Sequence, residues 1–176
     1  MTPLRFTLDP DRSCLWVDAR SNLHPITTQT RGLEGWVELT LLPDGSIDLD
    51  HPVLGHLEVW VDRFSSGNQL YDRELKRRID ARRHPVILGQ ITGVHNTEAV
   101  NRYRVAGDLS FHGETRGFEH EMTIEVDRAS SVPSIALKGD RVFDIREFRM
   151  KPPSMLMLKV YPEVAVRVEL YGATVP

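Results

Sequence analysis

Residues 103–126 read YRVAGDLSFHGETRGFEHEMTIEV. In the first half Tyr103, Val105, Gly107, Leu109 and Phe111 share one face of a period-two pattern, while Arg104, Asp108, Ser110 and His112 take the other. Past a turn at Gly113-Glu114-Thr115, Phe118, His120, Met122, Ile124 and Val126 form a second apolar face opposed by Glu119, Glu121, Thr123 and Glu125. Each arm is a strand with one side buried, and a tight turn joins them into an antiparallel hairpin.

Working outward, turn signals recur at Asp9-Pro10-Asp11, Pro43-Asp44-Gly45, Ser65-Ser66-Gly67-Asn68 and Lys138-Gly139-Asp140. The short alternating runs between them predict strands over residues 4–8, 13–20, 31–42, 53–62, 86–95, 102–112, 116–127, 134–143 and 159–171. This is an all-β chain: one antiparallel up-and-down barrel of about eight strands, lipocalin-like in architecture, as a single domain over residues 1–176. The exception is a stretch around 69–81. There Leu70, Leu75 and Ile79 recur at helical spacing among charged residues after an Asn68 cap, which predicts one amphipathic helix plugging a barrel end. The Arg77-Arg78 and Arg82-Arg83 pairs read as its solvated face, with an anionic head group as the rival reading.

At 176 residues the chain buries a sizeable core unaided, and 25 acidic against 22 basic residues leave a net charge of −3. No global field therefore draws it to nucleic acid or to an anionic membrane surface, and partners of both kinds are disfavoured. The lone Cys14 allows no internal disulfide and reads as a packing residue. MTPLRFTLDPDRS lacks a signal-peptide core, and no segment reaches the roughly 20 apolar residues of a membrane span, so a cytoplasmic location is expected.

The 103–126 hairpin resembles the YceI-like family, whose members carry Y-x-V-x-G-x-L-x-x-x-G-x-[ST]-[RK] at this point; Tyr103, Val105, Gly107, Leu109, Gly113, Thr115 and Arg116 match. Phe6-Thr7-Leu8-Asp9-Pro10, Gly35-Trp36, Asp44-Gly45-Ser46-Ile47, the 73–87 segment and Ile145-Arg146-Glu147-Phe148 match flanking motifs in order. Arg149 departs from it where a glycine often follows the phenylalanine, and His84 stands where Tyr or Phe is common. The resemblance implies a barrel holding a long polyisoprenoid chain or an isoprenoid quinone. The glycine-x-tryptophan lipocalin signature is missing, because Gly35 and Trp36 are adjacent.

Inward-pointing apolar faces would gather Leu15, Val17, Val37, Leu39, Leu57, Val59, Val61, Val105, Leu109, Phe111, Phe118, Met122, Ile124, Leu137, Val164, Val166 and Val168 in the lumen. By composition alone such a lumen reads as a packed core; the resemblance favours a cavity and makes these residues its ligand-binding wall. His120 shares the inner phase and must satisfy its ring nitrogens with a ligand oxygen, a backbone carbonyl or water. Trp16 and Trp60 take the outer phase, beneath the helix or at a homodimer contact.

The seven histidines form no i, i+2 or i, i+4 pair, and no G-x-S-x-G elbow, P-loop or dinucleotide fingerprint occurs. No metal, cofactor or catalytic residue is assigned. Three readings follow: a carrier of a long apolar isoprenoid-type lipid, an enzyme using His120 or a mouth carboxylate on such a substrate, and a filled barrel that interacts through its outer face.

Overall fold

The computed structural model describes residues 2–155 and 157–175. Its elements are β1 (Leu4–Leu8), β2 (Cys14–Ser21), β3 (Ile26–Thr30), β4 (Glu34–Leu39), β5 (Leu54–Trp60), α1 (Gln69–Ile79), β6 (Val86–Asn96), β7 (Arg102–Phe111), β8 (Glu114–Asp127), β9 (Ser134–Asp144), β10 (Ser154–Met155) and β11 (Leu158–Thr174), with short 3₁₀ turns at Val61–Arg63 and Ile145–Phe148.

The 103–126 hairpin sets the register of the wall. Val105 pairs with His120 and Gly107 with Phe118, so the two apolar faces coincide on the inside. Its turn is tighter than the sequence suggests. His112 and Gly113 are the two loop residues, both at positive φ (52° and 78°), and Phe111 pairs directly with Glu114. A two-residue loop with both φ values positive follows the right-handed twist of the strands, so β8 starts at Glu114 rather than after Thr115.

From β4 to β9 each strand pairs antiparallel with the next, β9 pairs with β11, and β1 closes the ring by pairing with both β4 and β11. β2 continues β1 along the edge of β11, and β3 precedes β4 along the other side of β1 and β2. The closed barrel thus has eight antiparallel walls, two of them broken into halves. The two breaks face each other: the Gly32 N–H donates to the Pro10 carbonyl at 3.2 Å. Gly32 lies at φ 70°, a bend that separates β3 from β4, so the expected 31–42 strand shrinks to Glu34–Leu39. β3, sequence ITTQT, was not among the expected strands; it pairs with β2 through Leu15–Thr30, Val17–Thr28 and Ala19–Ile26.

Side chains fill one end of the barrel. Phe6, Leu33 and Leu39 are at most 1% exposed, and Val53, Ile124 and Ile135 join them. At the other end α1 lies across the opening, with Ile79 and Leu75 packed among Val61, Ile87, Phe111, Ile145 and Met150. Asn68 starts the helix: its side-chain oxygen accepts from the Leu70 and Tyr71 N–H groups at 3.0 and 3.4 Å. Asp80 ends it at φ 52°. Asn68→Ala should cost about 1 kcal/mol of helix stability. The check is amide exchange, which is expected to quicken in α1 while β7 and β8 keep their protection.

Candidate functional site

Under α1 the barrel interior is hollow, with a cavity of about 360 Å³. Fifteen of the eighteen assigned lumen residues line it: Leu15, Val17, Val37, Leu57, Val59, Val105, Leu109, Phe111, Phe118, His120, Met122, Leu137, Val164, Val166 and Val168. The other three sit elsewhere. Leu39 and Ile124 point inward but belong to the filled end, where close packing leaves no space beside them. Val61 is not on a strand; β5 stops at Trp60, and Val61 turns into the cluster with Ile79 and Met150. The packed core that composition favours therefore exists in only half of the barrel.

The hollow half stays open because inward positions carry small residues. Gly89, Gly139 and Ala19 stand among the lining residues. Gly107 is a different case. A Cβ there would lie 2.7 Å from the Phe118 ring and 2.2 Å from the Gln90 carbonyl oxygen, so its absence lets Phe118 lie across β7.

Alternation misses the parts of the wall that are not strands. Tyr71, Glu74, Leu75 and Ile79 come from α1, and Ile145, Phe148 and Met150 from the segment after β9. That segment is tied to the hairpin turn, where His112 Nδ1 and the Phe148 carbonyl oxygen are 3.0 Å apart and Arg149 Nε meets Glu114 at 2.7 Å. The same fold brings the rings of His84 and His112 to 4.7 Å, a pairing with no trace in their spacing. Glu74 is only 13% exposed and accepts hydrogen bonds from Arg77 and Arg78 at 2.7 to 3.0 Å. Those two guanidinium groups hold its carboxyl below the ordinary glutamate range. Tyr71 shares a 3.0 Å hydrogen bond with His24 Nε2, which latches the helix to the β2–β3 turn.

Arg141 is the charged group the sequence reading passed over. Leu137, Gly139 and Arg141 alternate on β9 in one phase, and Arg141 lines the cavity with them. Ladder pairing between β8 and β9 covers only Thr123–Lys138 to Asp127–Ser134, so the two strands part above it. Across that gap the Arg141 guanidinium donates to the Glu119 carbonyl at 3.3 Å. Among the described residues Arg141 has no ion-pair partner, and His120 has no hydrogen bond within the chain. The wall is thus mostly apolar, with Glu74, His120 and Arg141 among its few polar groups.

The outer-phase tryptophans lie under arginines, Trp16 with Arg167 4.4 Å from its ring centre and Trp60 with Arg63 at 5.6 Å. Cys14 is buried, and burial pushes its thiol pKa up, which suits a packing residue.

These features define a class: a closed antiparallel β-barrel that keeps half of its interior hollow beneath a helical lid. The chain matches the YceI-like domain over residues 6–171 and belongs to that family. Solved structures share the fold at low identity. BcnA from Burkholderia cenocepacia superposes with a TM-score of 0.76 at 16% identity over 93% of this chain and 98% of its own. A polyisoprenoid-binding domain from Saccharophagus degradans, implicated in plant cell wall breakdown, gives 0.69 at 14% identity over 98% and 99%. The YceI protein of Campylobacter jejuni gives 0.67 at 10% identity over 86% of each chain. No curated protein matches the sequence.

Proposed function

We propose that this protein is a carrier that holds a long apolar lipid, an isoprenoid chain or isoprenoid quinone, in the hollow half of the barrel. The observation that carries the reading is the apolar cavity of about 360 Å³ beneath a lid. Family membership and the polyisoprenoid-binding neighbour support it. Each CH₂ group moved from water into such a space contributes about 0.8 kcal/mol, and one isoprene unit roughly 3 kcal/mol before ordering costs. A few units suffice for tight capture, and no reacting group is required. The lumen residues named above form the ligand wall, and Arg141 and His120 take the oxygen atoms of the head group.

Native mass spectrometry of protein from cells that make polyprenyl lipids, followed by organic extraction, tests this directly. A stoichiometric adduct that extracts as an isoprenoid is expected. An empty protein whose melting temperature ignores added prenyl lipids would overturn the reading, because a ligand of the folded state must stabilise it. Arg141→Gln gives a finer test. A hydrogen bond to a charged group is worth about 1.5–3 kcal/mol, so affinity for a polyprenyl phosphate should fall about tenfold or more while that for the matching hydrocarbon stays unchanged. The same titrations, run by tryptophan fluorescence, report both.

A further inference from the structure

The charge of this chain is unevenly divided. Residues 72–83, the lid helix and the turn after it, carry six basic and three acidic residues, and residues 141–151 carry four and two. Both segments close the hollow end of the barrel. The rest of the chain holds 12 basic and 20 acidic residues, a net −8 within a whole of −3. A modestly acidic protein therefore presents one basic end with a charge of +5, and that end is the one over the cavity.

The same end exposes large apolar side chains. Leu23 is 61% exposed, Leu70 63% and Met157 80%. They sit on two loops and the first turn of α1, which hydrogen bonds hold together. Asn22 Nδ2 donates to the Met157 carbonyl at 2.9 Å, the Lys159 N–H donates to Asn22 Oδ1 at 2.6 Å, and His24 shares its 3.0 Å bond with Tyr71, next to Leu70. Arg73 on the first half of α1 and Arg82 on the turn after it are exposed and have no ion-pair partner among the described residues.

We propose that the hollow end docks on an anionic phospholipid bilayer, with Leu23, Leu70 and Met157 entering the interface and the basic lid lying on the head groups. Apolar side chains ringed by arginine and lysine on one surface are what partition to an anionic interface; each part alone is weak, and together they reinforce. Nucleic acid would be served by the charge but not by the apolar rim, which would remain in water. No described helix is long and apolar enough to cross a membrane, so the contact is one of surface attachment by α1 and the neighbouring loops. This docking does not depend on what occupies the cavity, so it stands or falls apart from the proposed cargo. It also places the cavity's lid against a source of apolar molecules.

Co-sedimentation of the purified protein with vesicles tests the proposal. Binding is expected to vesicles of phosphatidylcholine with phosphatidylglycerol, and to drop at least about tenfold on vesicles of phosphatidylcholine alone or on raising the salt from about 0.1 M to about 0.5 M. Arg73→Glu/Arg82→Glu should abolish it. Leu23→Gln/Leu70→Gln/Met157→Gln should weaken it about tenfold or more, and circular dichroism should show both variants folded because every changed side chain is at the surface. Absence of binding to the anionic vesicles at low salt, equal binding to both compositions, or indifference to the arginine changes would each overturn it. Retention of a mixed-sequence oligonucleotide under conditions where anionic vesicles are ignored would overturn it in favour of nucleic acid.

Discussion

Leu109→Trp should empty the cavity and leave the barrel standing. Leu109 is half-buried on β7, lines the cavity, and faces Gly89 across the ladder, where no side chain competes for space. The indole enters the hollow and occupies volume that the proposed lipid needs. Losing the burial of one isoprene unit removes roughly 3 kcal/mol, which is about a hundredfold in affinity. Overpacking a full core costs about 1–3 kcal/mol; here the free volume absorbs most of the added atoms, so the melting temperature should move little. Val105→Trp is the control at the other extreme. Val105 lines the cavity but is 0% exposed, so its replacement should displace ligand and also destabilise the protein. Extracted lipid per barrel and a prenyl-lipid titration give the readout. Unchanged lipid content in Leu109→Trp would mean that cargo sits somewhere other than this cavity.

Phe6→Ala should cost about 3–5 kcal/mol, whereas Phe118→Ala should cost about 1–2 kcal/mol. The chemistry is the same and the difference is location. Phe6 is 0% exposed on β1 and belongs with Leu33 and Leu39 to the buried cluster of the filled end, and its removal opens a void that the close-packed neighbours cannot collapse to fill. Phe118 presents one side of its ring to a cavity that already exists, so fewer contacts are lost. Against a total stability of about 5–15 kcal/mol, the first change brings the protein near its unfolding threshold and should lower the melting temperature by about 10 °C. Urea unfolding of the two variants decides the matter: equal losses would mean that the barrel is not divided into a packed and a hollow half.

The outward reading from residues 103–126 succeeds wherever a strand buries one face, because period two is a local property of an extended chain and survives any tertiary arrangement. β7, β8, β9 and β11 are legible for that reason, as is α1 from its cap and its Leu75–Ile79 spacing. β3 is not. ITTQT has no apolar alternation, and it becomes a strand because β2 offers it backbone partners, with Ile26 and Thr28 turned toward the cavity. Val61 fails for the opposite reason. It continues the alternation of β5, but the chain has already turned into a 3₁₀ segment, which periodicity cannot see. Arg141 was legible in principle, since it is in phase with Leu137, yet an arginine in an apolar phase reads as an exception until the gap between β8 and β9 is known.

From the sequence alone come the fold class, the family, the single lid helix and most of the inward faces, all of which depend on near neighbours along the chain. The tertiary structure alone decides that one half of the barrel is filled and the other hollow. It also decides that α1 and the 145–150 segment complete the cavity, that Arg141 reaches it, and that the basic and exposed apolar groups gather at one end. The reason is physical. Alternation specifies which side of the sheet a residue takes, while free volume and surface charge depend on how far apart opposing walls stand and which loops meet, and those distances are set by closure of the whole barrel.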